Sequence, residues 1–305
     1  MRKLFLTIIV ALWAPLAATA GEAPALVDST WLAANLDKSN LVVIDLRGKL
    51  GGQSRDDYLA GHVPGAIYSD YLKDGWRTEV DGVIGQLPPV PDLEALIGGF
   101  GIGNDDHVVL VSGGQSALDM GTATRVYFTF KVLGHDRVSV LDGGHKAYAA
   151  DSNRPIESGT VERPTKTFTA SFRPELLASR EEVAAAKDSG TALIDIRPPS
   201  QFNGEKKHPM AQRPGTIPGA VSVPQGKLTE NGGTLVSATT AADLMKLAGV
   251  EPEQEAISFC NTGHWASLGW FVSRELLGNQ SVKLYDGSMV DWTADPDRPV
   301  EVKNN

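Results

Sequence analysis

The chain has 305 residues, 42% of them hydrophobic and 21% charged, a composition that fits a soluble globular protein of two ordinary domains and excludes fibrous and disordered classes. A formal net charge of -9 and a pI near 5.2 argue against nucleic acid or an anionic membrane surface as partner. Any anion it handles must be attracted by local groups.

In chain order, Met1-Arg2-Lys3 is followed by an apolar run from Leu4 to Leu16 and then Ala18-Thr19-Ala20. A basic start, a short apolar middle and a small-x-small end predict a secretory signal peptide over 1–20, cut after Ala20, and export to a periplasm. Pro15 interrupts the run, which falls short of the roughly 20 apolar residues of a spanning helix, so no membrane anchor is expected after cleavage. Secreted proteins often carry paired cysteines, but this chain has one, Cys260, and so no internal disulfide.

The remainder is written twice. Leu41-Val42-Val43-Ile44-Asp45-Leu46-Arg47 is echoed by Ala192-Leu193-Ile194-Asp195-Ile196-Arg197. Gly61-His62-Val63-Pro64-Gly65-Ala66-Ile67 returns as Gly215-Thr216-Ile217-Pro218-Gly219-Ala220-Val221, and Leu141-Asp142-Gly143-Gly144 as Tyr285-Asp286-Gly287-Ser288. Echoes in the same order at similar offsets indicate a duplicated domain. Short β-branched runs alternate with segments of helical spacing, the pattern of an α/β fold in which helices flank a mainly parallel sheet.

The first copy (24–150) has strands at Val108 to Ser112 and Val138 to Leu141, around a helix near Thr122 to Leu133. Pro, Ser, Thr and charge mark a surface linker over 151–174. The second copy (175–299) has strands at Leu193 to Ile196, Ala220 to Val223, Ala256 to Phe259 and Val282 to Tyr285. Leu268, Phe271, Val272 and Leu276 predict a helix over Trp265 to Leu277.

Cys260 therefore stands between a strand and a helix. Ligands of open parallel sheets collect at such carboxyl ends of strands. Peptide N-H groups from Asn261 through Trp265, and the positive end of the helix, favour the thiolate that acts as nucleophile. Gly263 lets the loop curl. His264 either offers a hydrogen bond or positive charge to an anion or packs beside the loop; Trp265 reads as a pocket wall. Ala266 stands where a cysteine phosphatase needs arginine, and no Cys-x-x-Cys is present. The histidines, spread at His62, His107, His135, His145, His208 and His264, form no metal motif.

Asp45-x-Arg47, Gly61-His62-Val63-Pro64-Gly65-Ala66, Leu141-Asp142-Gly143-Gly144, Asp195-x-Arg197, Ile217-Pro218-Gly219-Ala220, the Cys260 loop and Tyr285-Asp286-Gly287-Ser288 together resemble the tandem-domain rhodanese family, exported bacterial members included. The resemblance implies two rhodanese-like domains, the first lacking the cysteine, and a sulfurtransferase without cofactor. Cys260 would take sulfane sulfur from thiosulfate or 3-mercaptopyruvate as a persulfide and hand it to cyanide, sulfite or a thiol. Substrate-binding residues would be Asn261, Thr262, Gly263, His264, Trp265 and Arg197, although Arg197 also reads as a brace. A non-catalytic sulfur carrier serving a protein partner is the alternative. The loop matches neither donor preference of the family, and Gln201 and Asn203 stand where arginines usually grip the substrate. Lys206, Lys207 and Arg213 are the candidate replacements, with Asp70 the candidate acid from the first domain.

Overall fold

The two longest strands are buried along all or all but the first of their residues, as strands covered on both faces must be. In the computed structural model, which describes residues 23–303, the first domain contains β1 (Leu26–Val27), β2 (Leu41–Asp45), β3 (Ile67–Tyr68), β4 (Thr78–Val80), β5 (Val83–Gln86), β6 (His107–Val111) and β7 (Val138–Leu141). Its main sheet is parallel in the order β1-β7-β6-β2-β3, and β4 and β5 form a separate antiparallel hairpin. The second domain repeats the plan with β8 (Ala192–Asp195), β9 (Val221–Ser222), β10 (Thr229–Glu230), β11 (Thr234–Leu235), β12 (Ala256–Phe259) and β13 (Val282–Leu284). The parallel order β13-β12-β8-β9 is extended by a single bridge from Leu177 to Leu284, where the first domain has β1. The expected signal peptide lies outside the described residues.

Helices of the first domain are α1 (Ser29–Ala33), α2 (Arg55–Ala60), α3 (Val90–Gly99), α4 (Ala117–Val132) and α5 (Gly144–Ala149). Those of the second are α6 (Arg180–Ser189), α7 (Pro199–Phe202), α8 (Ala238–Leu247), α9 (His264–Phe271) and α10 (Ser288–Ala294). The sequence places the first of the equivalent helices too late: α4 starts at Ala117, because the Ser116 side chain caps it by accepting from Asp119 N at 3.2 Å. It places the second too long as a plain α-helix, since α9 passes into a π-helical turn at Val272–Leu276.

Equivalent helices α4 and α9 pack on one another and join the domains. Tyr127 meets Phe271 edge-on at 4.8 Å and Phe128 meets Trp270 at 4.9 Å, while Thr124 Oγ1 and Ser267 Oγ share a hydrogen bond of 2.9 Å. This explains why nearly all of α4 is buried, including Arg125, and why its sequence has no polar face. The 151–174 segment lies along the first domain through a bridge between Glu157 and His62 and an ion pair between Lys166 and Asp106.

Candidate active site

Cys260 follows β12 directly, and the loop Cys260–Gly263 feeds into α9. The cysteine is 1% exposed. One serine holds the loop shut: Ser288 Oγ accepts from Cys260 N at 3.0 Å and Gly263 N at 3.2 Å, and donates to Tyr285 O at 2.9 Å. To reach both amides, Ser288 adopts φ +50°, a region costly for any residue with a side chain. Met289 N and Val290 N, each at 3.0 Å, take the carbonyls of Cys260 and Asn261. Gly263 sits at φ +75°, and a side chain there would collide with Arg125 and Asp286.

The first domain grips the other side. Arg77 Nη2 donates to Thr262 O, and its Nε to Gly85 O at 3.1 Å. Arg125, wholly buried on α4, donates through Nη1 to Gly263 O at 3.3 Å and to Asp286 Oδ1 at 2.5 Å, and through Nη2 to Gly85 O at 3.4 Å. Burial works against its charge, but the Asp286 carboxylate outweighs that and holds the guanidinium above its ordinary pKa. Hairpin β4–β5 is fastened by Leu87 N donating to the other Asp286 oxygen at 2.6 Å.

A trans peptide points its N-H opposite its carbonyl, so the pull of Arg125 on Gly263 O turns the His264 N-H away from the guanidinium. The N-H groups of Asn261, Thr262, His264 and Trp265 donate to no acceptor among the described residues. Four such donors beside a thiol form a nest suited to a compact anion.

The structure corrects the readings of His264 and Arg197. His264 Nε2 bonds Leu118 O at 2.8 Å, and Nδ1 bonds the Tyr71 hydroxyl at 2.9 Å. A carbonyl only accepts, so Nε2 carries the proton and Nδ1 accepts from Tyr71. Burial, with Arg77 adding to it, pushes the imidazole down to about 3, so it is neutral and its ring is spent on the first domain. Burial also raises the Tyr71 phenol, which stays protonated and able to donate. Arg197 is the brace: its Nε and Nη2 hold Asp195, its Nη2 also reaches Gly215 O at 2.8 Å, and it is 1% exposed.

The candidate replacements do not converge on the loop either. Lys207 Nζ donates to Ala211 O at 2.6 Å, Arg213 to Pro296 O and Asp295 O, and Lys206 is exposed. Asp70 is bound to Lys73 and Leu72 N, and its neighbour Tyr71 is the residue that reaches the site. Asn261 does meet Gln201, with Nδ2 to Oε1 at 2.8 Å. Trp265 is half-buried on the first turn of α9.

Arg77, Arg125 and Ser288 were missed from sequence. Arg125 had a signal, a lone charge within Thr122-Ala123-Thr124-Arg125-Val126-Tyr127-Phe128, and Ser288 stands in the repeat at the place of Gly144. Arg77 had none.

A family model for the rhodanese-like domain matches residues 28–151 and again 179–295. A Mycobacterium bovis protein provisionally named thiosulfate sulfurtransferase 1 is 35% identical over 285 residues, covering 91% of this chain and 97% of its own. A similarly named Haloferax volcanii protein is 31% identical over 293 residues, covering 92% and 96%. Among solved structures, the 3-mercaptopyruvate sulfurtransferase SseA of Escherichia coli superposes with TM-score 0.75 at 29% identity, covering 87% of this chain and 99% of that one. A nest of free amides around one cysteine, set in the second of two matching domains, agrees with these likenesses: the chain belongs to the rhodanese family of sulfurtransferases, with the domain present twice.

Proposed function

We propose that the protein moves sulfane sulfur from a small anionic donor, thiosulfate or 3-mercaptopyruvate, to cyanide, sulfite or a thiol through a persulfide on Cys260. The observation that carries this reading is the ring of partnerless loop N-H groups beside the only thiol in the chain. The Cys260 thiolate attacks the outer sulfur of thiosulfate; the S-S bond breaks and sulfite leaves with its electron pair. With 3-mercaptopyruvate the C-S bond breaks instead, and the departing enolate takes a proton to become pyruvate. Either way the terminal sulfur of Cys260-S-S⁻ is an anion, which the nest stabilises without moving. Cyanide then attacks that sulfur, thiocyanate departs and the thiolate returns.

A sulfur buried to 1% exposure suits small donors and acceptors better than a protein carrier partner. The test is intact-mass spectrometry after exposure to each donor, together with thiocyanate formation. Wild type gains one sulfur and turns over; Cys260→Ser gains none and loses at least about a thousandfold in rate, as expected of a lost nucleophile. Wild-type rates equal to those of the serine variant with both donors refute an enzyme and favour the carrier. The basic and apolar N-terminus supports export; a mature protein recovered with Gly21 as its first residue is the expected outcome.

A further inference from the structure

A cleft of about 530 Å³ opens between the domains, bounded by hairpin β4–β5, the start of α6 and the 285–291 segment. The first domain supplies Val80, Gln86 and the Pro88-Pro89 turn, the linker supplies Phe172 and the second domain Arg180. Val80 and Phe172 are left 43% and 45% exposed. Large apolar side chains gathered in one concave place, from both sides of a domain boundary, mark a binding surface. The volume is that of a small-molecule site.

The charged groups of the cleft decide what its ligand carries. Asp291 accepts from Arg180 Nε at 2.8 Å, from Arg180 Nη2 and from the Tyr285 hydroxyl, and Asp286 is taken by Arg125 and by Leu87 N. Both carboxylates are engaged on both oxygens, and no other acidic residue lines the cleft, so a cationic ligand finds no free anion. Arg180 Nη1 makes no hydrogen bond among the described residues, and the Arg180 side chain is 46% exposed. Gln86 Nε2, on a residue that lines the cleft, is likewise without a partner. The polar groups left over are donors, one of them on a guanidinium, whose strong partner is a carboxylate.

We propose that this cleft is a second binding site, separate from the Cys260 loop, for a small monocarboxylate with an apolar body, and that its occupant holds hairpin β4–β5 over that loop. The body lies among Val80, Pro88 and Phe172, and the carboxylate meets Arg180. The hairpin already touches both places. Gly85 O accepts from Arg77 Nε and Arg125 Nη2, the two arginines that hold Thr262 O and Gly263 O, while Leu87 N bonds Asp286. Val83 packs with Ala211 and Val290 of the second domain. Cys260 is 1% exposed, so a donor enters only when part of this cover moves. A ligand that ties the hairpin to Phe172 and Arg180 opposes that movement. The binding stands by itself; the effect on rate rests on the sulfur-transfer reading.

The test is calorimetric titration of the full chain with octanoate, with acetate and octanol as controls for body and charge. Octanoate is expected to bind saturably and at least about tenfold more tightly than either control, the worth of one hydrogen bond to a charged group. Phe172→Ser and Arg180→Met each weaken it by about tenfold. Phe172 is exposed, so its variant keeps the test decisive if removing Arg180 from Asp291 unfolds the protein. In thiocyanate formation, octanoate lowers the wild-type kcat/KM by about fivefold, a usual coupling between two sites, and does not lower that of Phe172→Ser. No saturable binding, equal binding of octanol, or an affinity that a folded variant leaves unchanged overturns the site. A wild-type dimer in sedimentation that Phe172→Ser breaks gives the cleft to a second copy of the chain and overturns the small-ligand occupant. Binding with an unchanged wild-type rate overturns the hold on the hairpin. Absence of turnover without octanoate overturns sulfur transfer and leaves the binding result standing.

Discussion

The loop after β6 and the loop after β12 leave their sheets at the same register, yet they satisfy their amides in opposite ways. Asp45 pairs with Val111 as Asp195 pairs with Phe259, so Ser112 occupies the place of Cys260. His145 N holds Ser112 O at 2.8 Å as Met289 N holds Cys260 O, and Gly144 takes the positive φ that Ser288 takes. In the first domain, however, the Asp119 carboxylate folds back and accepts from Gly113 N at 3.1 Å and Gln115 N at 3.0 Å. Burial raises the pKa of this carboxylate while those amides work to lower it. The silent loop carries its own anion, and the cysteine loop leaves its amides for an external one.

They also differ in what holds them. The amides of the first loop are taken by its own Asp119, while the β10–β11 turn of the second domain packs on Gly114 and Gln115 and Leu235 N donates to Asp142 as Leu87 N does to Asp286. The second is held from outside by Arg77, Arg125 and the His264 bonds to Tyr71 and Leu118. Duplication thus left one loop that satisfies its amides from within and another that side chains of its twin hold in place.

The sharpest way to break that dependence is at Arg125. Arg125→Met leaves Asp286 buried without its charge partner and is expected to destabilise by about 3–5 kcal/mol, the usual cost of breaking a buried pair from one side. Arg125→Met combined with Asp286→Leu should recover part of the loss. Urea unfolding of the single and double variants measures both, and equal losses would refute the pair as the clamp.

A smaller effect is read through His264. Its folded pKa of about 3 lies below its ordinary 6.5, so between those values the unfolded chain binds the proton that the folded chain refuses. The contribution is complete above about pH 6.5 and is lost as pH falls toward 3. His264→Gln, which does not titrate, should flatten this part of a stability-against-pH curve; an unchanged slope would contradict a neutral buried ring.

The smallest effect belongs to the silent loop. Asp119→Asn loses a charged acceptor and should cost about 1–3 kcal/mol by thermal or urea melting, with kcat/KM for sulfur transfer unchanged within about threefold. A large fall in kcat/KM would show that the two loops are not independent in this respect.

The duplicated parallel domains, Cys260 and the glycine that lets its loop turn were legible in the sequence, because each is local: β-branched periodicity, a repeated Asp-x-Arg and a single thiol at a strand end. His264 and Arg197 were legible as residues but not in their roles, since a polar side chain looks the same in sequence whether it faces substrate or braces a fold. Arg77, Tyr71 and Arg125 lie far from Cys260 along the chain and meet it only when α4 packs on α9 and hairpin β4–β5 closes over the loop. Local spacing and residue chemistry determined by themselves the fold class, the duplication and the position of the single thiol at a strand end. Which charges surround the loop of that thiol was decided by docking two domains, a long-range packing event that no periodicity records.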